Sequence, residues 1–173
     1  MPSTDDAHKL HVYVRNSKGE LKRFGRVRAT VFHPNEPRVV GLVIKRPDAL
    51  LMVKRKERLA AIDRIEPVEG GISVIDAADS WDVEACKRLD VDYDACIIWE
   101  YMPVRTESGQ EIGLVSNVVY SGDDYTIEHI DISTNSANRV LLGSSLIPRA
   151  QIVGYRDGAI IVKDAEADVE ETG

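Results

Sequence analysis

The feature that most limits what this chain can fold into is an internal echo. Setting Gly113 over Gly25, an offset of 88 residues, brings Val27 onto Val115, Val31 onto Val119, Phe32 onto Tyr120, Leu42 onto Ile130 and Ile44 onto Ile132. At an offset of 87, Ala61-Ile-Asp-Arg-Ile65 lies over Pro148-Arg-Ala-Gln-Ile152, and Gly71 and Val74 lie over Gly158 and Ile161. Upstream the offset becomes 90, placing Val12, Val14, Arg15 and Gly19 on Met102, Val104, Arg105 and Gly109. A repeat of this period means one supersecondary unit used twice, with the copies differing mainly in loop length. Two units of roughly seventy residues each are small enough to be marginal alone, so each gains by packing on its twin.

Local pattern makes the unit a β unit. Leu10, Val12 and Val14 alternate with His11, Tyr13 and Arg15, and Arg26, Arg28 and Thr30 alternate with Val27, Ala29 and Val31, as in half-buried strands. Residues 38–45 are instead apolar almost without break, which predicts a strand covered on both faces, by the other barrel or by another subunit. Further strands are predicted at 50–53, 59–65, 72–75, 97–99 and 140–142. Glu69-Gly-Gly71 and Asp157-Gly158 supply hairpin turns. Only residues 76–94 read as helical, with Asp79 or Ser80 as cap, Asp82 and Glu84 in the first turn and Lys87 and Arg88 in the last. The expected organisation is a disordered leader at 1–8, a basic β-barrel at 9–76, a helical linker at 77–95, an acidic β-barrel at 96–164 and a disordered tail at 165–173.

Charge separates the halves. Residues 9–64 carry 15 Lys and Arg against 5 Asp and Glu, a net of +10, whereas residues 89–173 carry 5 against 16, a net of −11. Such a chain can pair head to tail, offer a basic face to RNA or an acidic partner, or hold its own halves together. No run approaches the roughly 18 apolar residues of a membrane span, so membrane insertion is not expected. The leader does not read as a signal peptide, and two cysteines, Cys86 and Cys96, suit a reducing compartment, so the expected location is cytoplasmic.

The stretch Val104-Arg-Thr-Glu-Ser-Gly-Gln-Glu-Ile-Gly-Leu-Val-Ser-Asn-Val-Val119, followed by Leu-Leu-Gly143, Ile-Pro148 and Asp-Gly-Ala-Ile-Ile-Val162, resembles the PRC-barrel domain. That family includes the cytoplasmic domain of the photosynthetic reaction-centre H subunit and the C-terminal domain of a ribosomal small-subunit RNA maturation factor. The resemblance covers about residues 97–164, and more loosely 9–76. It implies an all-β chain of two tandem small antiparallel PRC-type β-barrels joined by a short helical linker, binding macromolecules without catalysing a reaction. It carries no catalytic residue to transfer, and neither named relative's membrane anchor nor N-terminal domain is expected here.

Two sets of residues are candidate contact sites. Lys22, Arg23, Arg26, Arg28, Lys45, Arg46, Lys54, Arg55, Lys56 and Arg58 form a basic set suited to phosphates, with Tyr13, Phe24 and Phe32 as stacking candidates and core the favoured reading for both phenylalanines. Val39, Val40, Leu42, Val43, Ile97, Ile98 and Trp99, with Trp81 as an anchor, are candidates for contact between barrels or subunits. The expected function is a protein-binding or scaffold module whose apolar strands call for cover by a protein partner or by a second copy in a homo-oligomer; the alternative is an RNA- or ribosome-associated factor. His8 and His11 lack the partners of a tetrahedral metal site, His129 reads as a satisfied histidine rather than an acid or base, and the cysteines as small buried hydrophobes. No cofactor, metal or small-molecule substrate is indicated.

Overall fold

The computed structural model describes residues 2–47, 56–133 and 146–164. The strands expected at 50–53 and 140–142, the cations Lys54 and Arg55, and the tail at 165–173 lie outside these residues. The described chain is mostly β-structure. Its first half contributes β1 (His11–Arg15), β2 (Leu21–Phe32), β3 (Val39–Lys45), β4 (Arg58–Ala61), β5 (Ile65–Val68) and β6 (Gly71–Ile75). Its second half contributes β8 (Pro103–Thr106), β9 (Glu111–Tyr120), β10 (Ile127–Ser133), β11 (Leu146–Pro148), β12 (Ile152–Arg156) and β13 (Ala159–Val162). Between them lie the short helix α2 (Asp82–Arg88) and a two-residue strand, β7 (Ile97–Ile98).

The two sheets have one topology. Their strand orders are β4-β3-β2-β1-β6-β5 and β11-β10-β9-β8-β13-β12, each with one parallel pair, β1 with β6 and β8 with β13. Register carries the equivalence to single residues. Val27 faces Ile44 and Thr30 faces Leu42, as Val115 faces Ile132 and Val118 faces Ile130, so the offset of 88 holds along both central hairpins. It also holds at Phe32 with Val39 and Tyr120 with Ile127. Val12 faces Gly25 as Val104 faces Gly113, each pair just before a bulge, which makes the true offset of the first strand 92 rather than 90. Ile72 and Ile160 are the partners of Val12 and Val104, so the last strand is offset by 88 rather than 87. Gly25 allows this packing, because a Cβ there would stand 2.3 Å from the Lys45 carbonyl oxygen.

Neither sheet closes into the expected barrel by hydrogen bonding: among the described residues the outer strands of each order do not pair with each other. They are instead consecutive in the chain. A single 3-10 turn, Ile62–Arg64, carries β4 into β5, and its counterpart Arg149–Gln151 carries β11 into β12. Four residue steps span at most about 15 Å, so each sheet curls until its two edges approach. The final hairpin turns at Asp157 and Gly158, with φ of 52° and 76°, the paired left-handed residues that an Asp-Gly turn supplies.

The halves exchange their leading segments. Residues preceding β1 do not hang free: Pro2 and Ser3 lie along β9, where Ser3 bridges Val119 and Tyr120 N donates to Pro2 O, and helix α1 (Thr4–Ala7) follows, capped by Ser3. The expected disordered leader is therefore ordered at 2–8. Its anchor is polar, which is why apolar periodicity gave no sign of it: Thr4 Oγ1 donates to Asn117 Oδ1 at 3.0 Å and accepts from Val118 N at 3.0 Å. Reciprocally, β7 precedes β8 in sequence but pairs with β2 of the first sheet, Ile98 facing Val31. Val31 and Val119 are equivalent positions, so each half receives a strand fragment from the other at one place.

A local two-fold relation ties the central hairpins together. Arg38 bridges Thr126, its own counterpart at offset 88, while Val39 N donates to Tyr125 O at 2.8 Å and Ile127 N donates to Pro37 O at 2.7 Å. Exchanging the halves maps each of these bonds onto the other. The buried apolar residues accordingly form one cluster running through both sheets, from Val12, Phe32 and Ile44 to Val104, Val115 and Ile130, rather than two separate interiors. Trp99, 1% exposed, stacks on Phe32 with ring centroids 4.9 Å apart.

Helix α2 spans less than the segment expected to be helical, and neither Asp79 nor Ser80 caps it: Trp81 occupies the N-cap and makes no side-chain capping bond. The Asp82 carboxylate instead accepts from Leu59 N at 2.9 Å and from Arg58 Nε at 2.8 Å, pinning the helix to β4.

Candidate functional site

The outer surface of the first sheet gathers the basic residues. Because the bulge after Val12 keeps side-chain alternation in step across three strands, Lys45, Arg26 and His11 line up as a row, Lys45 facing Arg26 and Arg26 facing His11, with Arg23 opposite Tyr13 in the next row. Arg23, Arg26, Lys45 and Arg46 together with Gly25 and Pro47 line a groove of about 240 Å³. Phe24 and Phe32 are not part of a stacking surface. Phe24 packs on Trp81, centroids 5.0 Å apart, and supports the Arg46 guanidinium at 4.5 Å; Phe32 is fully buried. Tyr13, half-buried beside Arg23, is the aromatic that remains at this face.

The other predicted cations divide. Arg28 pairs with Glu57, and Arg58 pairs with Asp82 while lying 4.7 Å over the Trp81 ring. Both belong to the packing between β2, β4 and α2. Lys22 and Lys56 are exposed. Every ion pair among the described residues joins positions between 28 and 88, so none crosses from the basic half to the acidic one. Lys22, Arg23, Arg26 and Lys45 make no ion pair among the described residues. Like charges directly opposite on adjacent strands destabilise a sheet, and the Arg26 and Lys45 pair is such a case.

The apolar interface candidates are occupied within the chain. Val39, Val40 and Leu42 are at most 2% exposed, Trp81 is 4% exposed, and Val43, Ile97 and Ile98 are half-buried. Residues 38–45 are covered on both faces as their composition predicts. One cover is the core shared with the second sheet, and the other is the connector with the first residues of the second half: Val31, Val40, Leu59 and Cys86 form a satellite cluster with Leu89, Val91, Tyr93, Cys96 and Ile98 packed against it.

Other titratable groups are structural. Cys86 and Cys96 lie together in that satellite cluster, and burial pushes the Cys96 thiol up to about 12. His33 Nδ1 accepts from Asn35 N and Glu36 N at 3.0 and 3.1 Å, and burial lowers its pKa. His129 sits mid-strand opposite Val119 and Pro148. Sequence reasoning missed Glu100, a half-buried carboxylate whose Oε1 accepts from Thr30 N at 3.1 Å and whose pKa burial raises. Nothing in its local pattern marks it, since its partner is 70 residues away. No group of three or more His, Cys, Asp or Glu side chains that could hold a metal occurs among the described residues, and no helix among them is long and apolar enough to cross a membrane. No protein-family model matches the chain, and no curated protein does either.

Proposed function

We propose that this chain is a non-enzymatic binding protein of two PRC-type units, and that the outer face of the first unit holds the phosphate backbone of an RNA. One observation carries the reading: Arg23, Arg26 and Lys45 converge with Arg46 on a single groove, two of them directly opposed across a strand pair, with no carboxylate paired to Arg23, Arg26 or Lys45 among the described residues. That arrangement costs folding stability in the free protein, and a polyanion bound there offsets the cost. Tyr13 beside Arg23 supplies a ring on which an unpaired base can stack. The acidic second half repels RNA and so restricts contact to one side.

Fluorescence anisotropy with labelled single-stranded and hairpin RNAs tests this across a salt series. Four phosphate contacts give a slope of log K against log salt near about −3. The double variant Arg26→Glu and Lys45→Glu abolishes binding, while Lys18→Glu, at the far turn, changes it little. Absence of binding at low salt, or binding that survives the double reversal, refutes the proposal. Equal competition by polyglutamate at matched charge moves the reading to an acidic protein partner.

A protein-binding reading keeps one independent observation, the exposed apolar residues on an outer strand of the second sheet: Val153 and Tyr155 on β12, which pairs only with β13 among the described residues, are 52% and 38% exposed. A strand edge of this kind accepts an added strand. Light scattering across a concentration series, with Val153→Lys as control, tests whether that edge pairs with a second copy.

A further inference from the structure

The curl of the first sheet leaves a second concavity, away from the basic face. It measures about 380 Å³, within the range of small-ligand sites. One wall is the seam where β4 gives way to β5, made of Leu42, Ile62, Ile65 and Ile72; the other is the exchanged leader and the start of the β9–β10 turn, with Asp6, Tyr120 and Tyr125. We propose that this pocket binds a small apolar amine, its hydrocarbon body against the isoleucine wall and its ammonium at the Asp6 carboxylate between the two tyrosines.

The lining chooses this chemistry. Asp6 is the one charged side chain among the described residues of the wall, and no Lys, Arg or His faces it there, so an acid of the same shape is repelled. Asp6 makes no ion pair among the described residues. Tyr120, 4% exposed, makes no side-chain hydrogen bond among them either. Burial, with Tyr125 and Asp6 adding to it, pushes the Tyr120 hydroxyl up to about 12, so both rings are neutral donors and acceptors with electron-rich faces suited to a cation. The apolar wall is also peculiar to the first half. The counterpart of Ile62, at offset 87, is Arg149, an exposed charged side chain whose Nη1 donates to Thr126 Oγ1 at 3.2 Å.

Calorimetric titration of the full chain with 3-phenylpropylamine, 3-phenylpropanol and 3-phenylpropionate tests the proposal. The amine binds saturably, the alcohol about tenfold more weakly, and the propionate gives no binding heat. Asp6→Asn lowers affinity for the amine about tenfold and leaves the alcohol unchanged, because only the ammonium contact is lost. Ile65→Phe, checked for folding by circular dichroism, fills the seam and removes binding of both; if it does not fold, Asp6→Asn still decides. Failure of the amine to saturate, propionate binding as well as the amine, or an Asp6→Asn variant that keeps the amine preference overturns the proposal. None of these results bears on RNA binding at the opposite face.

Discussion

Replacing Thr4 by Val tests whether the exchanged leader is an integral part of the second sheet. Valine keeps the shape of a side chain that is 2% exposed, but it removes both the hydroxyl donated to Asn117 Oδ1 and the acceptor for Val118 N. Losing two hydrogen bonds costs about 1 kcal/mol each, and the Val118 amide, left buried without a partner, brings the total to about 2–3 kcal/mol. Asn117 Oδ1 keeps its bond from Asp5 N, so the cost does not rise further. For a chain of this size a loss of that order lowers the melting temperature by about 5–10 °C. Urea unfolding followed in parallel by tryptophan fluorescence and far-ultraviolet circular dichroism measures it, and both signals shift together because one core joins the halves. Thr4→Ser, which restores the hydroxyl, recovers most of the loss. A change under about 0.5 kcal/mol, or a fluorescence transition that moves apart from the circular dichroism, refutes the reasoning.

Three further outcomes follow. Gly25→Ala places a Cβ 2.3 Å from a backbone oxygen that only strand movement can relieve, so it destabilises by about 1–3 kcal/mol in thermal unfolding and weakens RNA binding by deforming the groove. Glu100 has its folded pKa raised above the unfolded value, so protonation favours the folded state, a contribution fully present below the unfolded pKa and lost as pH rises through the folded one; Glu100→Gln therefore raises the melting temperature at pH 7 and not at pH 4. Asp63 runs the other way, since the Arg88 hydrogen bonds at 2.5 and 2.8 Å hold its carboxyl below the usual aspartate range. Its contribution is present above the unfolded pKa and lost as pH falls through the depressed folded value, so Arg88→Met flattens the acid limb of a melting-temperature profile, by a modest amount because both groups are partly exposed.

The repeat made the central hairpins legible to the residue, because Gly25, Val27, Leu42 and Ile44 face one core and must keep one register to stay there. At both ends of the unit the register slipped. The bulges after Val12 and Val104 insert residues that alternation cannot count, and Val12 proves equivalent to Val104 rather than to Met102. The cover over residues 39–45 was predictable as a need, but α2 and Val91 meet it through packing that no local pattern records. The leader and β7 were assigned by their order in the chain, and their actual partners, Val119 and Val31, lie more than sixty residues away. For the basic face, the sequence supplied the cations and the structure sorted them. Arg28 and Arg58 meet the carboxylates of Glu57 and Asp82, whereas Arg23, Arg26 and Lys45 meet none among the described residues, so one composition divides into paired and unpaired cations. The amine pocket had no signal at all, since Asp6 and Tyr120 meet only through the exchange.

The mirrored bonds between Val39 and Tyr125 and between Ile127 and Pro37 are what two identical chains would make around a dyad. In such a homodimer every substitution appears twice, so a cationic groove on one flank always comes with a second on the other. Joining the copies in one polypeptide removes that constraint. Here Lys45 and Arg26 in one half have Ser133 and Leu114 as their equivalents in the other, and a scaffold of matched parts can present two unlike surfaces to two unlike molecules.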